Sequence, residues 1–179
     1  LDLDPHLRWA ETEECASTYL RLQLCIRYRK IVLDDHELKG LPTACRRRVQ
    51  YAEFIYLQRR FEEAVLLMHN LLADATRERR KSLAAVALYE LAGFYLPTDE
   101  DHKSEVYLRR LIKQHPKAAV AARAHFSLGL ILAAKSTDFA IHREALRCHQ
   151  QARKLYPNSY LSKAAERRIL LELTFLERE

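Results

Sequence analysis

Residues 104–129, SEVYLRRLIKQHPKAAVAARAHFSLG, and residues 145–170, ALRCHQQARKLYPNSYLSKAAERRIL, can be laid over one another without a gap. Each stretch is centred on a proline, Pro116 and Pro157, 41 residues apart. Twelve positions before the proline stands a small residue (Ser104, Ala145), eight after it an alanine (Ala124, Ala165), and twelve after it an aliphatic residue (Leu128, Ile169). A self-similar period of this size marks a helical repeat array rather than a compact catalytic fold.

The rest of the chain agrees. Its 179 residues are 49 % hydrophobic, enough to bury a core, and only 3 Gly and 5 Pro punctuate them. Ala, Leu, Arg, Glu, Lys and Gln dominate, all good helix formers, and clusters of β-branched residues are nearly absent. The expected fold is all-α. The longest apolar run, residues 128–134, falls short of the roughly 18–20 residues that cross a bilayer. The chain begins at Leu1 rather than at a start methionine, which reads as processed or trimmed, so the absence of a signal peptide or lipid-bearing cysteine decides nothing.

Helical periodicity divides the chain into segments. Val49, Ala52, Ile55 and Tyr56 form one apolar stripe, and Ala64, Val65, Met68, Leu71 and Leu72 a second, as in an antiparallel pair. A third helix spans about 81–96 and stops at Pro97, because the residue before proline resists helical geometry. Thr98, Asp99, Glu100 and Asp101 supply a capping hydroxyl and acids for the next helix start, from which Val106, Leu108, Leu111 and Ile112 point inward. Further helices are expected over about 119–134, over 139–156, and from Leu161 with Ala165, Ile169, Leu173 and Leu176 inward. Before Cys45 the pattern weakens: Trp9, Ala16, Leu20, Leu24 and Ile31 mark a helical face. Residues 1–44 therefore read as an N-terminal helical segment packing on a repeat domain over 45–179, about seven to eight helices in all.

In register, these pairs resemble the tetratricopeptide repeat. Leu88, Leu91, Ala92, Tyr95, Ser104, Leu108, Leu111 and Pro116 occupy that repeat's signature spacing. Leu128, Gly129, Leu132, Ala145, Ala152 and Pro157 follow with about four extra residues in the turn, and Tyr51, Ala52, Ile55, Ala64, Met68 and Leu71 precede them without the proline. The resemblance implies a right-handed superhelix of antiparallel helix pairs, a solenoid covering 45–179. The junction Tyr156-Pro157-Asn158-Ser159-Tyr160, followed by Ala164 and Ala165, is similar to those of bacterial envelope repeat proteins of the BamD and Tol-Pal-associated type. The four cysteines and the Arg-rich clusters depart from that pattern.

No catalytic motif stands out. Phosphate-cradling glycine loops and the common nucleophile and zinc-protease signatures are missing, so no enzyme, cofactor or catalytic residue is expected. His142 and His149 lie on one helix face about 10.5 Å apart, too far to share an ion. No metal site is expected. Cys15, Cys25, Cys45 and Cys148 lack paired spacing and read as small buried residues, although a Cys15–Cys45 bridge is sterically open. The net charge of +6 gathers in runs such as Arg46-Arg47-Arg48, Arg59-Arg60 and Arg79-Arg80-Lys81, yet acids are interspersed and aromatics are not, which disfavours nucleic acid.

What remains is binding by shape. The resemblance implies a concave groove lined by the first helix of each pair. Carried over, its partner-binding residues are Arg46, Gln50, Glu53 and Tyr56 in the first unit, Tyr89 and Glu90 in the second, and Arg123, Phe126 and Ser127 in the third. Tyr89 and Phe126 would be aromatic anchors, and their replacement by alanine would abolish capture of a partner segment with little effect on folding. Packing of both rings into the core is the competing reading. The expectation is a non-enzymatic protein-interaction scaffold in a cell-envelope complex, periplasmic and anchored through a lipid on a segment preceding Leu1. The alternative is a cytoplasmic adaptor, chaperone or regulator whose basic face meets an acidic partner or nucleic acid. Unpaired cysteines suit that reducing compartment better.

Overall fold

The computed structural model describes Leu38, residues 40–98 and residues 100–178. The N-terminal face from Trp9 to Ile31 lies outside the described residues. Among them are seven α-helices and no strand: α1 Thr43–Leu57, α2 Phe61–Arg77, α3 Lys81–Tyr95, α4 Asp101–Gln114, α5 Ala121–Lys135, α6 Phe139–Leu155 and α7 Tyr160–Leu176. The fold is all-α, and adjacent helices pack in sequence order within α1–α3 and within α5–α7. The chain divides into two compact units, one up to Ser104 and one from Glu105 onward.

In the first unit α1 packs on α2 and α2 on α3. Both turns are built alike. Arg59 and Arg79 take left-handed backbone angles, φ 65° and 56°, at the position after the helix where glycine is usual. Their neighbours Arg60 and Arg80 donate backbone N–H groups to the carbonyls of Ile55 (3.2 Å) and Ala75 (2.8 Å), closing each helix end. Two of the arginine clusters therefore mark turns. Acids accompany them: Asp74 bridges Arg48 (3.1 Å) and Arg77 (2.8 Å), Glu63 holds Arg60, and Glu78 holds Arg80. α3 is buried on every side from Leu83 to Ala92, as an almost uniformly apolar helix must be. At its end the Thr98 hydroxyl donates to the Tyr95 carbonyl (2.7 Å) and accepts from the Glu100 N–H (3.2 Å).

In the second unit α5 packs on α6 and α6 on α7, around Ala122, Phe126, Ala152, Leu161 and Ala165. Asp138 caps α6 by accepting from Ala140 N–H at 2.7 Å. The Tyr156-Pro157-Asn158-Ser159 junction has a local physical reason: Asn158 takes φ 64°, and the Ser159 hydroxyl accepts from Ser162 N–H (3.0 Å) while donating to the Tyr156 carbonyl (2.7 Å). Proline stops one helix, asparagine reverses the chain and serine starts the next.

Two inward assignments are corrected. Val106 is exposed, because it lies two residues from Leu108 and so nearly opposite the buried Leu108 and Leu111. On α7 the inward stripe is Leu161, Ala165, Ile169 and Glu172, and Leu173 faces outward.

Candidate functional site

The nine residues expected to line a groove divide by burial. On α1, Arg46 and Gln50 are half-buried, one helical turn apart, and Glu53 is buried. Tyr56 is a core residue: its ring stacks on Phe94 at 4.5 Å, meets Phe61 at 6.0 Å, and its hydroxyl donates to the Phe94 carbonyl at 3.4 Å. On α3, Tyr89 is 5 % exposed and Glu90 wholly buried. On α5, Arg123 and Ser127 are half-buried one turn apart, whereas Phe126 is buried in the cluster with Ala152, Leu161 and Ala165.

Phe126 is thus no exposed anchor. It packs between α5, α6 and α7, and its truncation removes core contacts rather than a handle for a partner. The reachable positions in each unit are polar: Arg46 with Gln50, and Arg123 with Ser127. Spacing identified these helix faces, but a helix apolar on all sides, as α3 is, offers no period from which to choose the outward one.

Sequence reading missed two buried arrangements in the second unit. At the start of α6, His142 Nδ1 lies 2.6 Å from Glu172 Oε2 and Nε2 lies 2.8 Å from the Ser136 carbonyl, with Phe175 stacked on the ring at 3.9 Å. The carbonyl fixes Nε2 as a donor, and Nδ1 shares a second hydrogen bond with the Glu172 carboxyl group, so the ring is held at both nitrogens. It borders an open hollow of about 520 Å³ lined by Ala133, Ala134, Lys135, Ser136, Thr137 and Phe175.

Seven residues on, His149 is wholly buried with neither ring nitrogen hydrogen-bonded. A Cβ on Gly129 would fall 2.5 Å from its Cε1, so the ring lies directly on the α5 backbone, tilted against Phe126 at 5.4 Å. Burial, aided by the positive charge of Arg168, pushes the imidazole down to about 4. Burial likewise raises the Cys148 thiol to about 11, leaving it inert. Cys45 is a free, buried thiol with Arg80 Nη1 3.5 Å from its sulfur, and Cys15, its candidate bridge partner, lies outside the described residues. Among the described residues no three metal-ligating side chains gather, and no helix is long and apolar enough to cross a membrane.

No protein-family model matches this chain, and neither a curated protein nor a solved structure does so.

Proposed function

We propose that this protein is a non-enzymatic interaction scaffold of the tetratricopeptide type that holds a segment of another protein by polar contacts from the first helices of its pairs. The observation that carries the proposal is the recurrence of one arrangement, a half-buried arginine with an uncharged polar residue one turn later: Arg46 with Gln50 on α1 and Arg123 with Ser127 on α5. Arginine in a partly desolvated site pairs bidentately with carboxylates and carbonyls, the groups an extended or helical segment offers. The envelope setting remains the leading assignment, motivated by the Tyr156-Pro157-Asn158-Ser159-Tyr160 junction. Four of those five residues have turn and cap duties in this fold, so the junction argues for the repeat more strongly than for the compartment. The cytoplasmic adaptor is the second reading, favoured by the free thiols of Cys45 and Cys148.

Photo-crosslinking in the source cell from probes at Arg46 and Arg123, with Phe126 as the buried control, tests this reading. Discrete protein adducts from the first two and none from the third are expected. Envelope adducts select the first setting and cytoplasmic adducts the second, whereas no adduct from either arginine position overturns the scaffold proposal.

A further inference from the structure

The 41-residue repeat maps α5 onto α7, and the map exposes a surface with no counterpart inside the fold. The α5 flank that carries Gly129 and Leu132 is buried, with the α6 imidazole of His149 seated on Gly129. The corresponding residues of α7 are Leu170 and Leu173, 61 % and 42 % exposed. Leu170 also removes the close approach that glycine permits, so this flank cannot receive a helix as α5 receives α6. Elsewhere on α7 the repeat has been made hydrophilic: the core residues Ala122 and Phe126 become Lys163 and Arg167, both exposed. Leu173 keeps the leucine of Leu132 and Leu170 replaces Gly129, so this flank stays apolar beside the charges, while Leu161, Ala165 and Ile169 retain the buried stripe.

Lys163, Leu170 and Glu177 are spaced seven residues apart, with Leu173 one turn beyond Leu170, so they form one stripe. A cation stands at one end of it, an anion at the other, and the leucines between. Such a stripe is complementary to itself when inverted. We propose that α7 pairs antiparallel with α7 of a second copy of this chain, about a two-fold axis at Leu170. Leu170 then meets Leu170, and Lys163 of each copy lies beside Glu177 of the other, twice. Charge selects this register: sliding Leu170 onto Leu173 of the other copy would set Glu166 against Glu177. One helix pair covers less than the roughly 1,200 Å² of a stable interface, so the dimer dissociates at tens of micromolar, on the order of a transient contact.

Sedimentation of the 179-residue chain from about 5 to 500 µM is the test, since that range brackets a weak dimer. Concentration-dependent dimerisation is expected, lost in Leu170→Glu and weakened about ten-fold in Lys163→Glu and in Glu177→Lys, each of which makes two like-charge contacts. The double variant Lys163→Glu/Glu177→Lys restores wild-type affinity to within about three-fold, because the pairs re-form with reversed sign. All three positions are exposed, and glutamate near the start or lysine at the end of α7 suits the helix dipole. Circular dichroism therefore shows folded chains throughout, and loss of dimer cannot be loss of fold. A chain monomeric over the whole range overturns the proposal and leaves the stripe to a different protein's helix. So does a dimer indifferent to Leu170→Glu, or a double variant no better than the singles.

Discussion

His142 and His149 stand two turns apart on α6, both buried, and their surroundings are opposite. His142 has a carboxylate on one ring nitrogen, a carbonyl on the other and a phenyl ring on its face. His149 has neither nitrogen bonded and lies on a glycine. Burial alone therefore says little about a histidine; the acceptors within 3 Å decide whether the ring is held by hydrogen bonds or packed as a neutral plate. The first half of α6 holds α7 by a buried hydrogen bond and a ring stack, and the second half meets α5 by close backbone approach.

The sharpest way to break the contrast is to remove the carboxyl group at the hydrogen-bonded end. Glu172→Ala leaves a buried imidazole nitrogen without its partner, and orphaning a buried polar group costs about 1–3 kcal/mol, more for a charged one. Urea unfolding measures it. The surface pair Arg153–Glu166, 3.4 Å apart and about half exposed on both sides, is the control: Glu166→Ala should shift stability by less than about 1 kcal/mol. A loss under about 1 kcal/mol in Glu172→Ala would place His142 with the surface pairs instead.

Little of this contrast was legible from sequence, and the reason is physical. Helix boundaries were readable because local chemistry sets them: Pro97, Pro116 and Pro157 follow the ends of α3, α4 and α6, and α3, expected over 81–96, spans Lys81–Tyr95. The 41-residue repeat was readable because its small positions are fully buried in both copies, as Ala124 and Ala165 are. Glu172 lies 30 residues from His142 in a helix whose inward stripe was drawn through Leu173, so nothing in the spacing joined the two. Tyr56, Tyr89 and Phe126 were offered as groove residues and are core because aromatic rings serve both ends, and one-dimensional spacing does not distinguish a ring facing a partner from one facing the next helix.

Acid sharpens the contrast at the neutral end. His149 is held at about 4 against an ordinary 6.5, so between those values the unfolded chain binds a proton that the folded chain refuses. The stability from this residue is therefore full above pH 6.5, falls as pH drops, and levels off below about 4, a loss of about 3 kcal/mol. Burial of His125 acts in the same direction, and Arg109, holding Glu144 below the usual carboxylate range, adds acid sensitivity. The contribution of His149 is therefore the difference between wild type and His149→Leu in unfolding measured from pH 7 to pH 4. The leucine variant should lose less stability on acidification. Equal slopes would mean that the imidazole is protonated in place and has partners after all.

The smallest effect is the most diagnostic, because its sign depends on the ring. Gly129→Ala adds a methyl group where the His149 ring already lies, with Cε1 2.5 Å and both nitrogens 2.8 Å from the new carbon. A wholly buried ring has little room to yield, and such overpacking costs about 1–3 kcal/mol. Alanine in a helix interior returns up to about 1 kcal/mol over glycine, so the net result is destabilisation by about 1–2 kcal/mol. In a His149→Ala background the obstruction is gone and only the helix preference is left. The same methyl group should then stabilise by up to about 1 kcal/mol, giving a double-mutant coupling of about 1–3 kcal/mol. If Gly129→Ala is destabilising to the same extent in both backgrounds, the glycine serves some other contact and the plate-on-backbone description of His149 fails. If the sign reverses, the close approach of α6 to α5 is set by this one pair, and Leu170, its counterpart on α7, marks the flank where the repeat gives up that approach.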